Sequence, residues 1–285
     1  MSTGCVHPYI RSLHRPDPRP PGGGTHGVAL CPIPDPLSIR WVTKLTTATG
    51  STSAGATIAC TRIARRRAVG SEETLHFFDD AVRAGKIQYI GVSNFIGWQL
   101  QKAALLTQHL GLAPVVTLQP QYNLLQRSIE FELRDVCVSE GIGILAWSPL
   151  AGGWLTGKYR RDTSPTGTTR LGENPERGME AYAPRNAEER TWRVIDAVRA
   201  VADARDVSMA QAALAWVLDR PAVTSVVIGA RTVAQLHENL GAAGLHLSAA
   251  ETALLDQVST PIVDDYPYGP AGVGQRERVA EAEPA

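Results

Sequence analysis

The chain has 285 residues, and its 28 lysines and arginines are balanced by 28 aspartates and glutamates, so the formal net charge at pH 7 is zero. That length allows one large domain with a sizeable core. A balanced charge creates no global field toward nucleic acid or an anionic membrane, and we therefore expect neither of them as a partner.

Four cysteines are widely spaced along the chain, at Cys5, Cys31, Cys60 and Cys137. They form no C-x-x-C pair, which argues against a disulfide framework and against a zinc site. No apolar run approaches the ~20 residues of a membrane span, and the first residues lack the apolar core of a secretion signal. We expect a soluble, cytoplasmic protein without a metal centre.

The first 70 residues show little regular pattern. Residues 1–40 are rich in proline and glycine, which disfavour helices and strands. A short strand is expected at 39–45, but residues 46–70 combine small residues and arginines without a sustained period. We interpret 1–70 as an irregular segment that is poorly ordered or disturbed by a reading-frame error.

From Ser71 onward, strand-like and helix-like segments alternate. Apolar periodicity and glycine stops predict helices at 71–84, 97–110, 129–139, 187–203, 208–218, 233–242 and 248–256. Short apolar runs predict strands at 87–92, 115–119, 142–146 and 225–228. A stretch rich in glycine and proline separates the third of these strands from the next helix.

Strands that alternate with helices pair in parallel through right-handed crossovers, either in a doubly wound sheet or in a barrel. No predicted strand is followed by the G-x-G-x-x-G pattern of a Rossmann domain, which favours the barrel. We expect an α/β fold, a (β/α)8 TIM barrel that is incomplete at its amino-terminal end. It would occupy residues 71–260, followed by a polar tail at 261–285.

Each predicted strand ends on a small polar cluster, at the edge where parallel α/β proteins bind their ligands. Ser93, Asn94 and Gln119 carry hydroxyl and amide groups, which donate and accept hydrogen bonds at once, as a carboxamide ligand requires. An ordinary turn or helix cap is the alternative for these residues.

The last two strand ends offer a flat ring and a positive charge. Trp147 could stack on an aromatic ring, with Ser148 beside it, although packing under a loop explains a single tryptophan equally well. Gly229-Ala230-Arg231-Thr232 opens a helix whose free N–H groups attract phosphate, and Arg231 could pair with a phosphomonoester. The alternative is an ordinary Thr232 N-cap beside a solvated arginine.

Four motifs together resemble the aldo-keto reductase family of NADP-dependent oxidoreductases. They are YIGVSNF at 89–95, QPQYNLL at 119–125, AWSPLAGG at 146–153, and GART at 229–232 with Gln235, Glu238 and Asn239. Their order and spacing match over about residues 71–260, whereas the amino-terminal part shows no match. The resemblance implies a (β/α)8 barrel that holds NADPH in an extended pose at the carboxyl face of its strands.

The resemblance also implies a role for each matching residue. Ser93, Asn94 and Gln119 would hold the nicotinamide carboxamide, and Trp147 would stack on the ring, where the family more often has tyrosine. The residues lining the pyrophosphate would be Ser148, Leu150, Gly152 and Lys158, with the stretch after Gly157 as a lid. The residues at the adenosine end would be Gly229, Arg231, Gln235, Glu238 and Asn239, with Arg231 favouring NADPH over NADH.

The family reduces a carbonyl with an Asp, a Tyr, a Lys and a His from the first half of the barrel, and the Tyr acts as the general acid. Only Lys44 matches, within WVTKL at 41–45, and a lone surface lysine is the alternative. No Asp-x-x-x-x-Tyr-Gly pattern precedes it, and His14 stands before Lys44, where the family's histidine follows. The catalytic tetrad is therefore incomplete, and the other two reading frames of the coding DNA would reveal a frame error.

The sequence leaves two functions open. One is NADPH-dependent reduction of an aldehyde or ketone to an alcohol, with a small-molecule carbonyl substrate. Because the tetrad is incomplete, this chain could be an inactive member of that class. The other is a catalytically silent NADPH-binding module or a decayed gene product.

Overall fold

The computed structural model describes residues 71–263, 266–269 and 272, together with three short amino-terminal strands. Those strands are β1 (Ala29–Leu30), β2 (Thr43–Lys44) and β3 (Thr57–Thr61). Cys5, His14, Cys31 and most of the predicted polar tail lie outside the described residues.

The described chain from Ser71 onward alternates helices and strands. The strands are β4 (Tyr89–Ser93), β5 (Val115–Gln119), β6 (Gly143–Trp147) and β7 (Val223–Ile228). The helices are α1 (Ser71–Arg83), α2 (Gly97–His109), α3 (Leu133–Glu140), α4 (Arg170–Glu173), α5 (Tyr182–Ala187), α6 (Glu189–Arg205), α7 (Met209–Leu218), α8 (Val233–Leu240) and α9 (Ala249–Ser259). The predicted alternation is therefore confirmed for this part of the chain.

The strands form one sheet in the order β1-β7-β6-β5-β4-β3-β2. Every neighbouring pair is parallel except β2 and β3, which are antiparallel. The predicted α/β class with a parallel sheet is confirmed. β1, early in the chain, lies beside β7, with Ala29 opposite Val227. Pairing of an early strand with a late one is the kind of neighbour relation found in a barrel. Among the described strands, β1 and β2 stand at the two ends of the order.

The amino-terminal segment contains more strand than its sequence predicts. β3 lies within 46–70, where no regular element is expected, and of the strand expected at 39–45 the structure describes Thr43–Lys44, which is β2. β3 pairs in parallel with β4, from Ile58 opposite Tyr89 to Thr61 opposite Val92. The edge of β4 supplies hydrogen-bonding partners for a neighbouring backbone, so a weak local pattern can still form a strand there.

The predicted helix at 129–139 is divided into two parts. A 3-10 turn, Ser128–Phe131, comes first, and Glu132, with φ −145° and ψ −49°, separates it from α3. The Glu130 carboxylate in that turn accepts hydrogen bonds from the Tyr122 hydroxyl at 2.7 Å and from Arg127 Nε at 2.8 Å. These contacts attach the turn to the core.

The core lies between the sheet and the helices that follow its strands. Ile90, Leu118 and Ile144, each on a central strand, are completely buried. Strands covered on both faces read as continuous apolar runs, which is why the sequence signals them clearly. Helix α7 is buried for most of its length, and Ser208 and Gln211 cap its start reciprocally. This packing holds the carboxyl ends of β4, β5 and β6 along one edge.

The structure also bears on the cysteine and membrane expectations. Cys137 is a free, buried thiol, and burial raises its pKa to about 12, so the thiol remains protonated near neutral pH. None of the helices in the described residues has the length and apolar character that a membrane crossing requires. Within the same residues, no three His, Cys, Asp or Glu side chains are grouped to hold a metal ion.

Candidate functional site

The ends of β4 and β5 are joined by hydrogen bonds to one carbonyl. The Ser93 hydroxyl donates to the Gln119 carbonyl oxygen at 2.9 Å, and the Asn94 backbone N–H donates to the same oxygen at 3.2 Å. Because both strands are parallel, their carboxyl ends meet at the same edge. The structure therefore brings Ser93, Asn94 and Gln119 together, as the sequence predicts.

Trp147 joins this group from the end of β6. Its indole N–H donates to Asn94 Oδ1 at 3.1 Å. Its backbone N–H donates to the Pro120 carbonyl at 2.9 Å, and its carbonyl accepts from the Tyr122 N–H at 3.3 Å. The tryptophan is held at the edge of the site and remains partly exposed, which differs from a ring packed away under a loop.

The backbone at these strand ends adopts an uncommon conformation. Asn94, Ser148 and Ala151 all have positive φ, at 56°, 53° and 47°. For residues other than glycine this region is disfavoured, and such residues cluster at functional sites when the surroundings hold them in place. Asn123 provides part of that support, because its fully buried side chain donates to the Ser148 carbonyl at 2.9 Å and accepts from the Leu125 N–H at 2.9 Å.

The polar atoms left over at this edge fit a carboxamide. The half-buried Gln119 amide group makes no hydrogen bond to another residue in the described part of the chain, and the same is true of the Asn94 amide nitrogen. Ser93 still offers hydroxyl lone pairs. These atoms provide donors and acceptors in the combination that a primary carboxamide needs, next to the partly exposed ring of Trp147.

A second group forms where the chain leaves β6. Gly152 and Gly153 have φ values of +65° and +103°, and a Cβ on Gly153 would lie 2.3 Å from Lys158 Cε. Glycine is therefore required at Gly153 for Lys158 to lie against this turn. Partial burial, with Arg231 and Arg170 nearby, lowers the pKa of the Lys158 ammonium. Such a concentration of positive charge beside a glycine turn suits phosphate groups.

Arg231 stands between β7 and α8. Thr232 caps α8 by accepting from the Gln235 N–H at 3.2 Å, and the Arg231 N–H donates to Gln235 Oε1 at 2.9 Å. The predicted N-cap is thus present. The Arg231 guanidinium is not simply solvated, because it pairs with Glu173 at 2.5 Å and donates to the Thr168 carbonyl.

The remaining predicted residues of this end have mixed environments. Glu238 is exposed on α8, whereas Asn239 is buried. A Cβ on Gly229 would meet no atom within 4 Å in the described structure, so packing does not demand glycine there. Ser148 and Leu150 are half-buried between this group and the Gly152 turn.

The backbone of Lys44 is described through its strand pairing. It pairs with Thr57, the first residue of β3, so its backbone lies at the amino end of a strand that runs parallel to β4. Ser93 is at the carboxyl end of β4. The four steps from Thr57 to Thr61 span roughly 13 Å at about 3.3 Å per residue. The register therefore places the Lys44 backbone near the amino ends of the parallel strands, whereas Ser93 lies at their carboxyl ends.

The segment from 157 to 185, hereafter the lid segment, is attached to the site by residues that the sequence did not single out. The buried Glu180 accepts from Gln121 Nε2 at 2.5 Å, pairs with Arg185 at 3.4 Å, and offers its backbone carbonyl to the Trp154 indole. Burial raises the pKa of this carboxyl group. Glu173 and Thr168 belong to the same segment, and nothing in the sequence marks a glutamate in a polar loop as a partner of Arg231.

Comparison with known proteins places these features in a family. The model of the Aldo/keto reductase family, whose fold is the (β/α)8 barrel, matches residues 10–260. The match begins well before residue 71, the limit suggested by the motifs. It therefore includes the amino-terminal part, for which the motifs show no resemblance.

Individual relatives agree with this match. The chain is 33% identical over 204 residues to the uncharacterized oxidoreductase YrpG of Bacillus subtilis, which covers 70% of this chain and 55% of the relative. It is 35% identical over 200 residues to Protein tas of Escherichia coli, with coverages of 70% and 55%. It is 36% identical over 188 residues to L-glyceraldehyde 3-phosphate reductase of Escherichia coli, with coverages of 65% and 53%.

The chain spans about half the length of these curated relatives. Even so, the family model covers most of the chain, and the hydrogen-bonded strand ends coincide with the motifs that suggested the resemblance. The chain belongs to the aldo/keto reductase family.

Proposed function

We propose that this chain binds NADPH along the carboxyl edge of its sheet and acts as an aldo/keto reductase-type oxidoreductase that reduces an aldehyde or ketone to an alcohol. Members of the family use NADPH as cofactor. The observation that carries the proposal is the hydrogen-bonded group of Ser93, Asn94, Gln119 and Trp147, which leaves amide groups available beside a partly exposed ring.

Each part of the site would have its own task. Ser93, Asn94 and Gln119 orient a carboxamide, while Trp147 excludes water from one face of the ring beside it. Gly152 allows close approach of the backbone, and Lys158 balances pyrophosphate charge together with Ser148 and Leu150 at the turn. Gly229, Arg231, Gln235, Glu238 and Asn239 form the adenosine end, where Arg231 can make a bidentate pair with a 2′-phosphate. When bound, NADPH supplies the hydride.

Carbonyl reduction also needs a proton at the carbonyl oxygen. The catalytic role of Lys44 stays a prediction, and its backbone pairs with Thr57 at the amino end of β3. This position of the Lys44 backbone favours a second candidate function, a catalytically silent NADPH-binding module, and a decayed gene product that binds no cofactor is a separate alternative. Under either candidate the ligands are small molecules, and cytoplasmic localisation stays a prediction.

Binding and turnover can be measured separately in the full chain. Titration with NADPH should quench intrinsic fluorescence, and Trp147→Ala should weaken binding about tenfold through loss of the stacking face, a loss of about 1.4 kcal/mol. Trp147→Tyr keeps a flat ring and should recover most of the affinity. Trp98→Ala is the matched control, because Trp98 is an exposed tryptophan on α2.

A carbonyl reduction assay on the same samples distinguishes the candidates. Binding with turnover supports the reductase, and binding without turnover supports the silent module. If wild type and Trp147→Ala bind NADPH equally, the proposed site is wrong. No binding at all would contradict both candidates and leave only the decayed product.

A further inference from the structure

The side chain of Arg231 is already engaged by the lid segment. Its guanidinium contacts the Glu173 carboxylate at 2.5 Å and the Thr168 carbonyl oxygen, and both partners belong to residues 157–185. Within the described structure these are the side-chain hydrogen bonds that Arg231 makes. A ligand anion that pairs with Arg231 must therefore compete with groups of the protein itself.

The surrounding charges show why Glu173 can hold this position. Partial burial lowers the pKa of Lys158 most, and the charges of Arg231 and Arg170 lower it further; burial likewise lowers the pKa of Arg170, with Arg177 and Arg231 adding to the effect. Like charges thus lie within electrostatic range of one another, and their mutual repulsion favours a neighbouring carboxylate. Accordingly, the hydrogen bond from Arg231 lowers the pKa of Glu173.

The contact is also accessible to replacement. The Arg231 and Glu173 side chains are 50% and 47% exposed, so water and ligands reach both of them. Exposed ion pairs contribute little net stability because solvent screens them. A phosphomonoester carries nearly two negative charges and three acceptor oxygens, so it is a stronger partner for a guanidinium than one carboxylate is.

We propose that Glu173 is a built-in competitor for the anion that Arg231 binds, so that the lid segment reduces the affinity of the adenosine end for a 2′-phosphate. The proposal rests on the proposed function, because it assigns Glu173 a role at that same cofactor site. A ligand with a 2′-phosphate must displace the Glu173 carboxylate, and its affinity is lower for that reason. A ligand without that phosphate leaves the Arg231–Glu173 pair in place.

The test uses the full chain and two fragments, adenosine 2′,5′-bisphosphate and adenosine 5′-monophosphate, with dissociation constants measured by calorimetry. Glu173→Gln should tighten binding of the bisphosphate by about two- to fivefold, the range that corresponds to an exposed ion pair. Binding of the monophosphate should change by less. Glu176→Gln is the matched control, since Glu176 is an exposed glutamate of the same segment that forms no ion pair with another described residue.

A double-mutant cycle separates competition from a general charge effect. In an Arg231→Gln background, Glu173→Gln should no longer change the affinity for the bisphosphate. The competitor role is overturned if Glu173→Gln leaves that affinity unchanged or weakens it, or if Glu176→Gln tightens binding equally. If the wild type binds neither the fragments nor NADPH, the proposed function itself fails, and the role of Glu173 fails with it.

Discussion

The nicotinamide end and the adenosine end of the proposed site hold their ligand groups by different physical means. At the first, neutral hydrogen bonds join Ser93 to Gln119 and Trp147 to Asn94 at the ends of core strands. At the second, an exposed ion pair joins Arg231 to Glu173 in the lid segment. Neutral hydrogen bonds between fixed partners set geometry, whereas exposed charges provide attraction that salt and competing ions can change. The first end is thus built for orientation and the second for adjustable affinity.

The largest effect should follow from breaking the buried support of the nicotinamide end. Asn123→Ala removes two hydrogen bonds from a fully buried side chain and leaves the Ser148 carbonyl without that donor. The free energy of unfolding should fall by about 3 kcal/mol in urea denaturation. Asn174 is an exposed asparagine whose side-chain oxygen accepts a hydrogen bond from the Glu176 N–H. Asn174→Ala should lower the free energy of unfolding by about 0.5 kcal/mol or less. Equal losses would contradict a special role for Asn123.

The second-largest effect should be the difference between the two ends in how strongly salt weakens ligand binding. Raising sodium chloride from about 0.05 to about 0.5 M shortens the screening length several-fold, which weakens exposed charge pairs more than buried hydrogen bonds. Binding of adenosine 2′,5′-bisphosphate should weaken roughly tenfold, against roughly twofold for reduced nicotinamide riboside, which carries no phosphate. Similar salt slopes for both fragments would remove the proposed difference between the ends.

The smallest effect concerns an exposed ion pair remote from the site. Arg205 and the Ser248 hydroxyl and backbone lower the pKa of Glu251 to about 2. Because the folded pKa is below the unfolded value near 4.5, this contribution is present at neutral pH and disappears as the pH falls toward 2. Glu251→Gln should therefore reduce stability slightly at pH 7 and make no difference near pH 2, as followed by thermal unfolding. A loss that persists at pH 2 would show that packing, rather than charge, stabilises this contact.

The sequence predicts the buried central strands more accurately than it predicts the amino-terminal strands and the segments whose structure depends on tertiary contacts. The strand at 115–119 occurs with the predicted bounds, because Val115 and Leu118 belong to a run that is covered on both faces. β3 was missed, since its pairing with β4 depends on a neighbour distant in sequence rather than on local apolar periodicity. The division at Glu132 was missed for a similar reason, because the contacts of Glu130 are tertiary.

The same distinction applies to the site. Motif order predicts that Ser93, Asn94, Gln119 and Trp147 meet, because the carboxyl ends of parallel strands share an edge. No such rule exists for Glu173. Its contact with Arg231 depends on the path of the lid segment, which local sequence patterns do not predict. Lys44 depends on a short local match alone; its backbone pairs with Thr57, and its catalytic role stays a prediction.

The pairing of β1 with β7 also has a consequence for folding. Ala29 lies opposite Val227, so this contact closes a loop of roughly 200 residues and should form after the local strand–helix units. Until it forms, β7 presents an open row of backbone donors and acceptors, which other chains can pair with. We therefore expect the yield of properly folded protein to depend on how fast β1 reaches β7 relative to encounters between molecules.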